Sequence, residues 1–575
     1  MSTRSWMGVS ALAVAVLVAV SVVHSQQRPA FTPVSEEMLL KPSPDDWLMY
    51  SRTYDAQRFS PLNQITTRNV AQLREVFKKE LPAGVQESIP IVYRGVMYLL
   101  LPGNTVQALD ATTGALIWEH KRPTGATRAK TISIYEDMVY NGTPDGFIEA
   151  LDARTGEPRW ETKSSGRLTA GTMVVEGKVL TGRACAPRRE DCYIAAHDAK
   201  TGKEVWRFYT AAASNEPGGE TWAGAPDETR AASTWALPGG YDPVRRLVYW
   251  GVANPTPNTR ASRHGGNSNA IPTESPADLY SNSTVALDPD TGKLRWYYQH
   301  LPGDDWDEDY PNERTLLRTA VSPDPRFVKW INPDVKRGEQ RDVSVMVGEG
   351  GGIFVIDRGN GQFLWGHPFP FDTPDFLISN IDGRTGRVTL NKDKLFTGPS
   401  DRRVICYWNT RSYWPTAYHP GVNSLFVPYV ENCLDMTAPG PGGTPRERRG
   451  GIPRSGSDPN TWAGLMKINM STGEMKPIHT GRAPGNGAVL TTGGNLVFWG
   501  DLDQKLRVFD VESGKVLWEQ ALGGPVQNST VTYAVNGRQY VAVLTGSGAL
   551  SGALMDQAGI TPNRGYNALY VYALP

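Results

Sequence analysis

The segment GDDWDEDY, residues 303–310, concentrates five carboxylic acids in eight residues of a chain that carries no net charge. Carboxylates this close together raise one another's pKa unless a cation lies between them. Asp307 and Asp309 alternate, so both side chains can project from the same side of an extended segment. The alternative is a solvated acidic loop, but Trp306 within the run is unusual for one. We interpret the segment as part of a cation site.

The residue types around this segment indicate which cation it binds. A further oxygen donor, Asn254, follows another strand-like stretch in YWGVANPTPN. Hard cations prefer carboxylate and amide oxygens, whereas the histidines form no HxxxH spacing and the cysteines no CxxC. The predicted ion is therefore calcium or a larger, more highly charged cation. Such an ion can polarise a carbonyl group while a nearby carboxylate acts as a general base.

A repeat that could position these residues runs along the chain. Each copy combines an alternating strand, an Asp, a Gly-containing turn and a second strand, which predicts a β-hairpin. A weaker copy without tryptophan starts at Lys467. The other copies close on Trp118, Trp160, Trp206, Trp296, Trp365 and Trp518. We assign these tryptophans a structural role, docking one sheet onto the next, and no part in the chemistry.

The spacing of the repeat predicts the fold class. The closest copies place Asp110, Asp152 and Asp198 at intervals of 42 and 46 residues, which suits one four-stranded blade per repeat. Seven copies and the closing stretch YNALYVYALP predict an all-β, eight-bladed β-propeller with tryptophan-docking repeats. A solenoid is the alternative, but strand-like sequence at both ends favours closure into a ring.

The first residues predict export. Arg4 precedes a short apolar run from Val9 to Val23, and the small residues Val23 and Ser25 suit cleavage after Ser25. We predict a signal peptide at 1–25 and a single propeller domain at 26–575; a retained membrane anchor is the alternative. No other stretch reaches membrane length, so no span is expected in the mature chain. A neutral charge balance argues against a nucleic-acid partner.

Export favours disulfide bonds between the four cysteines. Proximity along the chain pairs Cys185 with Cys192 and Cys406 with Cys433. The absence of a CxxCH motif means that no covalently attached haem is encoded.

The chain resembles the alcohol dehydrogenases that depend on pyrroloquinoline quinone (PQQ), which are eight-bladed quinoproteins. The resemblance covers nearly all of the mature chain. The motifs that carry it are DWLMYSRTYDAQRFSPLNQITTRNV, the tryptophan repeats, YDPVRRLVYWGVANPTPN, DDWDEDYPNERTLL and YWPTAYHP, in this order. It implies that Trp235 stacks on the quinone and that Glu87 and Thr169 contact it. Lys130 stands where the family often has a cofactor-binding arginine.

The resemblance also assigns the acidic segment. It implies that Asn254 binds the metal and that Asp307 is the catalytic aspartate beside that metal. Asp309 stands where lanthanide-dependent members carry an additional carboxylate. The remaining acids, Asp304, Asp305 and Glu308, are expected to be outer-shell or solvated.

Three departures from the family pattern are visible. The adjacent-cysteine pair that covers the quinone is absent. A basic residue of the family is replaced by Glu349, so this side chain either points away or changes the redox tuning. The position of the metal-binding glutamate falls on Pro187, and Glu190 could replace it only if a Cys185–Cys192 bridge reshapes the loop.

The expected function is that of an exported, periplasmic dehydrogenase that oxidises small alcohols to aldehydes by hydride transfer to a metal-bound PQQ. The ion is Ca²⁺ or a lanthanide, and electrons pass to a separate soluble cytochrome c. One alternative is a sugar or polyol dehydrogenase, since the polar insertion Thr259–Ser283 could widen the entrance. Another is a non-catalytic propeller scaffold.

Overall fold

Each Asp–Gly repeat forms the turn between the two outer strands of a four-stranded antiparallel sheet. In the first copy Asp110 Oδ1 accepts hydrogen bonds from the backbone N–H groups of Thr112 at 2.9 Å and Thr113 at 3.0 Å. Gly114 closes this turn with φ +72°, a conformation that side chains other than glycine rarely adopt. The same chemistry at every copy explains why the sequence pattern and the sheets coincide.

Eight such sheets, or blades, make up the protein, and they are numbered here in chain order. The computed structural model describes residues 31–575 except 125–127, 186–187, 441–442, 444–445, 453, 455 and 528–529. The strands of blades 1 to 4 are Ile91–Tyr93, Val96–Leu101, Thr105–Asp110 and Leu116–Lys121; Ser133–Tyr135, Met138–Gly142, Phe147–Asp152 and Pro158–Lys163; Arg167–Val175, Lys178–Ala184, Tyr193–Asp198 and Glu204–Tyr209; and Gly240–Asp242, Leu247–Gly251, Ser283–Leu287 and Leu294–Gln299. The strands of blades 5 to 8 are Thr315–Val321, Glu339–Gly348, Gly351–Asp357 and Phe363–His367; Ala417–His419, Ser424–Val430, Ala463–Asn469 and Met475–Gly481; Leu490–Thr492, Leu496–Gly500, Lys505–Asp510 and Val516–Ala521; and Val531–Val535, Arg538–Thr545, Asn567–Ala573 and Arg74–Leu81.

Smaller elements decorate the ring. Additional strands are Phe59–Ser60 on blade 7, Trp330–Ile331 on blade 5, the pair Ala231–Ala232 and Pro255–Thr256, the pair Ile378–Ile381 and Val388–Leu390, and the three strands Arg402–Cys406, Cys433–Thr437 and Arg446–Ile452. The α-helices of the described residues are Glu36–Leu40, Arg260–Arg263 and Ser551–Ala558. The 3₁₀ helices there are Val70–Gln72, Arg189–Asp191, Gly219–Trp222, Asp227–Thr229, Lys392–Lys394 and Pro420–Val422.

The ring closes by pairing strands from both ends of the chain. Strand Asn567–Ala573 lies antiparallel to Arg74–Leu81, so that blade 8 contains an early strand and the last three strands. Closure leaves no unpaired end blade, which a solenoid has. The predicted eight-bladed propeller is therefore confirmed.

The repeat tryptophans dock adjacent blades, as predicted. Trp118 Nε1 donates a hydrogen bond to the carbonyl of Ala153, in the turn of blade 2, at 3.0 Å. Trp160 Nε1 does the same to Ala199 of blade 3 at 3.1 Å. A Cβ atom on Gly156 would lie 2.5 Å from the Trp118 ring, so the ring packs directly on glycine backbone. The apolar core consequently lies between neighbouring blades.

Both predicted disulfide bonds are present, Cys185–Cys192 and Cys406–Cys433. Pro33–Pro575 forms one compact unit. The predicted signal peptide at 1–25 and the predicted start of the domain at residue 26 lie outside the described residues. In the part of the chain that is described, no helix is long and apolar enough to span a membrane.

Candidate active site

One cavity collects side chains from loops that belong to different blades, which can meet only near the axis of the ring. Its lining residues are Arg128, Lys130, Arg167, Thr169, Ala184, Trp235, Asp307, Asp309, Glu349, Trp408, Asn409 and Leu550. They include five of the seven site residues predicted from sequence. The other two, Glu87 and Asn254, contact lining residues directly, so the whole predicted set converges on one place.

The three predicted metal ligands form one hydrogen-bonded group. Asn254 Nδ2 donates to Asp307 Oδ1 at 2.8 Å, and the Asn254 backbone N–H donates to Asp309 Oδ1 at 2.8 Å. The other oxygen of Asp309 accepts from Trp235 Nε1 at 2.6 Å. Protein atoms surround Asp307, but its side chain remains open to the cavity, with the backbone at φ +72°. The catalytic candidate is thus directed toward the space that a ligand would occupy.

The other acids of the segment, expected to be outer-shell or solvated, are buried, so the solvated alternative is wrong. Asp304, Asp305 and Glu308 are each 0% exposed. Asp304 Oδ1 accepts hydrogen bonds from the backbone N–H groups of Trp306 and Asp307, both at 2.9 Å. This carboxyl therefore folds the loop back on itself and orients the backbone of Asp307.

The polar insertion Thr259–Ser283 also holds the acidic loop in place. Asp305 accepts a hydrogen bond from the backbone N–H of Arg260 at 2.7 Å and another from that of Phe396 at 2.8 Å. Arg263 Nη2 donates to the backbone carbonyl of Asp304 at 2.7 Å. The short helix Arg260–Arg263 thus holds the acidic loop, which explains the crowding of acids: some bind backbone, and others face the cavity.

The acids that face the cavity lack a compensating charge, which is the condition for a cation site. Burial raises the pKa of Asp307 to about 6, against the opposing hydrogen bond from Asn254. Burial and then the charge of Asp307 raise the pKa of Asp309 to about 7. Burial and then the charge of Asp309 raise the pKa of Glu349 well above its ordinary value. Carboxylate and amide oxygens in this state fit a hard cation.

The donor set is small. In the described part of the chain, no three Asp, Glu, His or Cys side chains lie close enough to hold one ion. The candidates are therefore the two carboxylates of Asp307 and Asp309 with the amide of Asn254. Glu190 is exposed and pairs with Arg188 at 2.9 Å rather than lining the cavity. Pro187 lies outside the described residues.

Glu349 faces the cavity rather than pointing away. It is 5% exposed, and Oε1 accepts a hydrogen bond from the Ser412 hydroxyl. An acid therefore stands where the family commonly has a base.

A buried ion pair forms another wall of the site. Lys130 Nζ lies 3.0 Å from Glu87 Oε2, while Glu87 Oε1 accepts hydrogen bonds from the Tyr413 hydroxyl at 2.6 Å and the Ala549 N–H at 2.7 Å. Burial raises the pKa of Glu87, but the charges of Lys130 and Arg128 and these hydrogen bonds outweigh it, and the pKa lies below its ordinary value. The pair is therefore ionised and internally neutral.

Trp235 provides a flat surface in the cavity. Lys130 Nζ lies 5.1 Å from its ring centroid, and the Tyr413 ring meets it edge-on at 5.4 Å between centroids. Its backbone carbonyl accepts a hydrogen bond from Thr169 Oγ1 at 2.9 Å. An indole that lines the cavity, with its Nε1 hydrogen-bonded and a tyrosine edge-on to it, suits the stacking of a planar ring.

Several lining residues were not singled out from the sequence: Arg128, Arg167, Ala184, Trp408, Asn409 and Leu550. The sequence contains one usable signal for two of them. Arg128 stands two residues before Lys130, and Arg167 stands two residues before Thr169, a spacing at which side chains of an extended chain can share a face. The other positions carry no periodicity or motif that separates them from ordinary loop residues.

Comparisons with known proteins agree on one family. A family model described as glucose/ethanol/alcohol dehydrogenase, PQQ beta-propeller domain, matches residues 47–133, 161–367 and 461–541. Quinohemoprotein alcohol dehydrogenase ADH-IIG of Pseudomonas putida is 30% identical over 573 residues, which cover 90% of this chain and 75% of that protein. The dehydrogenase subunit of the quinone-type alcohol dehydrogenase of Acetobacter aceti is 30% identical over 596 residues, 92% of this chain and 75% of that protein.

Solved structures give the same result. The Pseudomonas putida ADHIIG structure superimposes with a TM-score of 0.80 at 28% identity, covering 95% of this chain and 83% of that one. A europium-containing methanol dehydrogenase superimposes with a TM-score of 0.78 at 26% identity, covering 94% of this chain and all of the other.

Proposed function

The chain belongs to the family of PQQ-dependent glucose, ethanol and alcohol dehydrogenases, and from this premise we propose the roles of its residues in alcohol oxidation. It is a quinoprotein oxidoreductase that acts on alcohols. We propose that a small primary alcohol enters the cavity and leaves as the aldehyde. PQQ supplies the hydride acceptor when bound.

Asp307 acts as the general base. Its carboxylate is open to the cavity, while the Asn254 amide at 2.8 Å holds one oxygen in place. A base positioned in this way takes the hydroxyl proton as the C–H bond breaks. The Asn254–Asp307 contact within the lined cavity is the single observation on which the proposal depends most.

The residues that hold the cofactor are Trp235, Thr169, Lys130 and Glu87. Trp235 stacks on the ring system, and Thr169 fixes the backbone beside it. Lys130 supplies a buried cation above the tryptophan face, while Glu87 keeps that ammonium oriented through its ion pair. A planar, polyanionic quinone fits an aromatic face flanked by cations.

Asn254, Asp307 and Asp309 would hold a hard cation that polarises the quinone carbonyl. Ca²⁺ and a lanthanide are both consistent with oxygen donors. The buried third acid, Glu349, and the additional carboxylate Asp309 favour the more highly charged ion. The likeness to a europium-containing methanol dehydrogenase supports the same choice.

We further propose that residues 1–25 direct export to the periplasm and are removed. Because the chain encodes no CxxCH haem site, electrons pass to a separate carrier, a soluble cytochrome c.

Reconstitution tests the function. Purified protein is loaded with PQQ and either Ca²⁺ or La³⁺, and dye reduction is measured with ethanol and with a sugar. We expect alcohol-dependent dye reduction, and a loss of about 10²–10⁴-fold in kcat for Asp307→Asn, the magnitude typical of a removed general base.

Asp503→Asn is the matched control, because Asp503 is exposed and lies outside the cavity. Its kcat should equal that of the wild type. Absence of PQQ uptake with both ions would reject the dehydrogenase and favour a scaffold, while faster turnover of sugars would reject the alcohol assignment.

A further inference from the structure

Two arginines, Arg128 and Arg167, line the cavity, and Arg167 is exposed. In the described part of the chain, neither Arg128 nor Arg167 forms an ion pair with any acid, although both line the cavity. The Arg128 Nε atom is buried and has no hydrogen-bond partner there. Lys130, the other cation of the lining, is already neutralised by Glu87 at 3.0 Å. The charge of Arg128 acts on Glu87 and helps to lower its pKa, but no ion pair among the described residues engages either arginine, so both guanidinium groups can bind a ligand.

Backbone pairing joins the two segments that carry these arginines. The backbone N–H of Lys130 donates to the carbonyl of Thr169 at 3.1 Å. Arg128 and Arg167 each lie two residues before one member of that hydrogen-bonded pair. Both arginines line the same cavity as Lys130 and Thr169, so this pairing brings the two segments that carry them to one wall of the site.

The rest of the cavity disfavours an anion. Asp307, Asp309 and Glu349 line the same space and offer no positive partner to an anion, and a cation held by Asp307, Asp309 and Asn254 would be shared with these acids. PQQ carries three carboxylate groups, each of which needs a positive partner once water is displaced. The planar guanidinium group, with its fork of N–H donors, matches a carboxylate better than an ammonium does.

We propose that Arg128 and Arg167 form a carboxylate clamp for the quinone cofactor. The inference rests on the proposed PQQ-dependent function and deepens it. Orientation of the cofactor on Trp235 then depends on ion pairing at its periphery in addition to stacking on its face.

Binding of the cofactor, measured without turnover, tests the clamp. Calcium-loaded protein is titrated with PQQ and with PQQ trimethyl ester, and Kd is obtained from tryptophan fluorescence quenching or calorimetry. We expect Arg128→Gln and Arg167→Gln each to raise the Kd for PQQ by about tenfold or more, the range of a lost charged hydrogen bond. Arg128→Lys should recover part of that loss.

Discrimination against the ester separates a clamp from a general loss of structure. The wild type should prefer PQQ to the ester, and the double variant should lose that preference. The ratio of the two constants does not depend on the fraction of folded protein. Arg68→Gln, at an exposed arginine outside the cavity, should keep the wild-type values.

The outcomes are distinct. Wild-type Kd and wild-type preference in the double variant overturn the clamp while leaving the dehydrogenase intact. Failure of the wild type to bind PQQ with either Ca²⁺ or La³⁺ overturns the proposed function and the clamp together.

Discussion

At the scale of single residues, one acidic run divides into two kinds of carboxyl group. Asp304 and Asp305 accept backbone N–H groups and determine the path of the loop. Asp307 and Asp309 face the cavity and bind to Asn254. Identical side chains thus have different roles, because the fold places different neighbours within hydrogen-bonding distance of each.

Glu349 is an uncompensated acid, and we predict that Glu349→Gln stabilises the cation-free protein. Its folded-state pKa is raised by burial and then by the charge of Asp309, so the unfolded state ionises first as the pH rises. The penalty on the folded state therefore starts near pH 4.5 and grows above it. The gain in the free energy of unfolding should be on the order of 1 kcal/mol or more at pH 7.5.

Urea unfolding between pH 4 and pH 8 provides the measurement. Glutamine can still accept the Ser412 hydroxyl hydrogen, so the packing is retained. Glu474→Gln, at an exposed acid, is the control and should follow the wild type. A variant whose stability falls, or rises equally at all pH values, would contradict the argument.

At the scale of elements, the blades interlock through tryptophan on glycine. The Trp160 ring lies against Gly202 of the next blade, whose φ is +71° and whose added Cβ would approach the ring to 2.5 Å. The turn glycine therefore serves two purposes, conformation and close approach. Loops between the blades, freed from packing, carry the functional residues.

Two glycine substitutions separate these purposes. Gly202→Ala should lower the free energy of unfolding by about 1–2 kcal/mol because alanine disfavours the left-handed backbone conformation. The clash of the methyl group with the Trp160 ring should lower it by a further 1–3 kcal/mol or so, that is about the cost of overpacking. Gly537→Ala, at φ +77° with nothing within 4 Å of the added Cβ, incurs the backbone penalty alone. We expect the urea midpoint of Gly202→Ala to lie clearly below that of Gly537→Ala; equal midpoints would show that blade docking tolerates the methyl group.

At the scale of the whole molecule, ring closure and the active site depend on each other. Loops of blades 1 to 6 and blade 8 contribute lining residues, so the cavity exists only when the ring is complete. The stability of a distant blade therefore affects the site, although the blade carries no chemistry.

His197 in blade 3 makes that stability depend on pH. It is 0% exposed, neither ring nitrogen has a hydrogen-bond partner among the described residues, and burial lowers its pKa to about 4. Above pH 6.5 the histidine is neutral in both states. As the pH falls from 6.5 to 4, the histidine becomes protonated in the unfolded state but stays neutral in the folded state. The free energy of unfolding therefore decreases.

We predict that His197→Phe reduces this acid loss by on the order of 1–3 kcal/mol. The measurement is the difference between the free energies of unfolding at pH 7 and pH 4.5, compared between variant and wild type. The comparison cancels the carboxylates that do not contact His197; Glu204, whose Oε2 lies 3.9 Å from His197 Nε2, is replaced by glutamine in both proteins. An unchanged difference would mean that His197 takes up its proton in the folded state.

The sequence by itself determined the blade pattern, the blade count and the positions of the candidate acids. These properties are local: an Asp–Gly turn, strand alternation and oxygen donors at strand ends can be recognised within a dozen residues. The solvated alternative for Asp304, Asp305 and Glu308 was wrong. Asp305 and Glu308 accept backbone N–H groups of Arg260, Phe396 and Asn409, which lie far from the segment along the chain, while Asp304 folds back on the backbone of its own loop.

Only the tertiary structure decided which residues share the cavity. Arg128 and Arg167 come from different blades, and Glu349 faces the site from a third, at sequence separations that no spacing rule connects. Ring closure converts these separations into contact, because every blade directs its inner loops toward one axis. Burial and charge compensation are properties of that assembled space, and they do not exist in any segment alone.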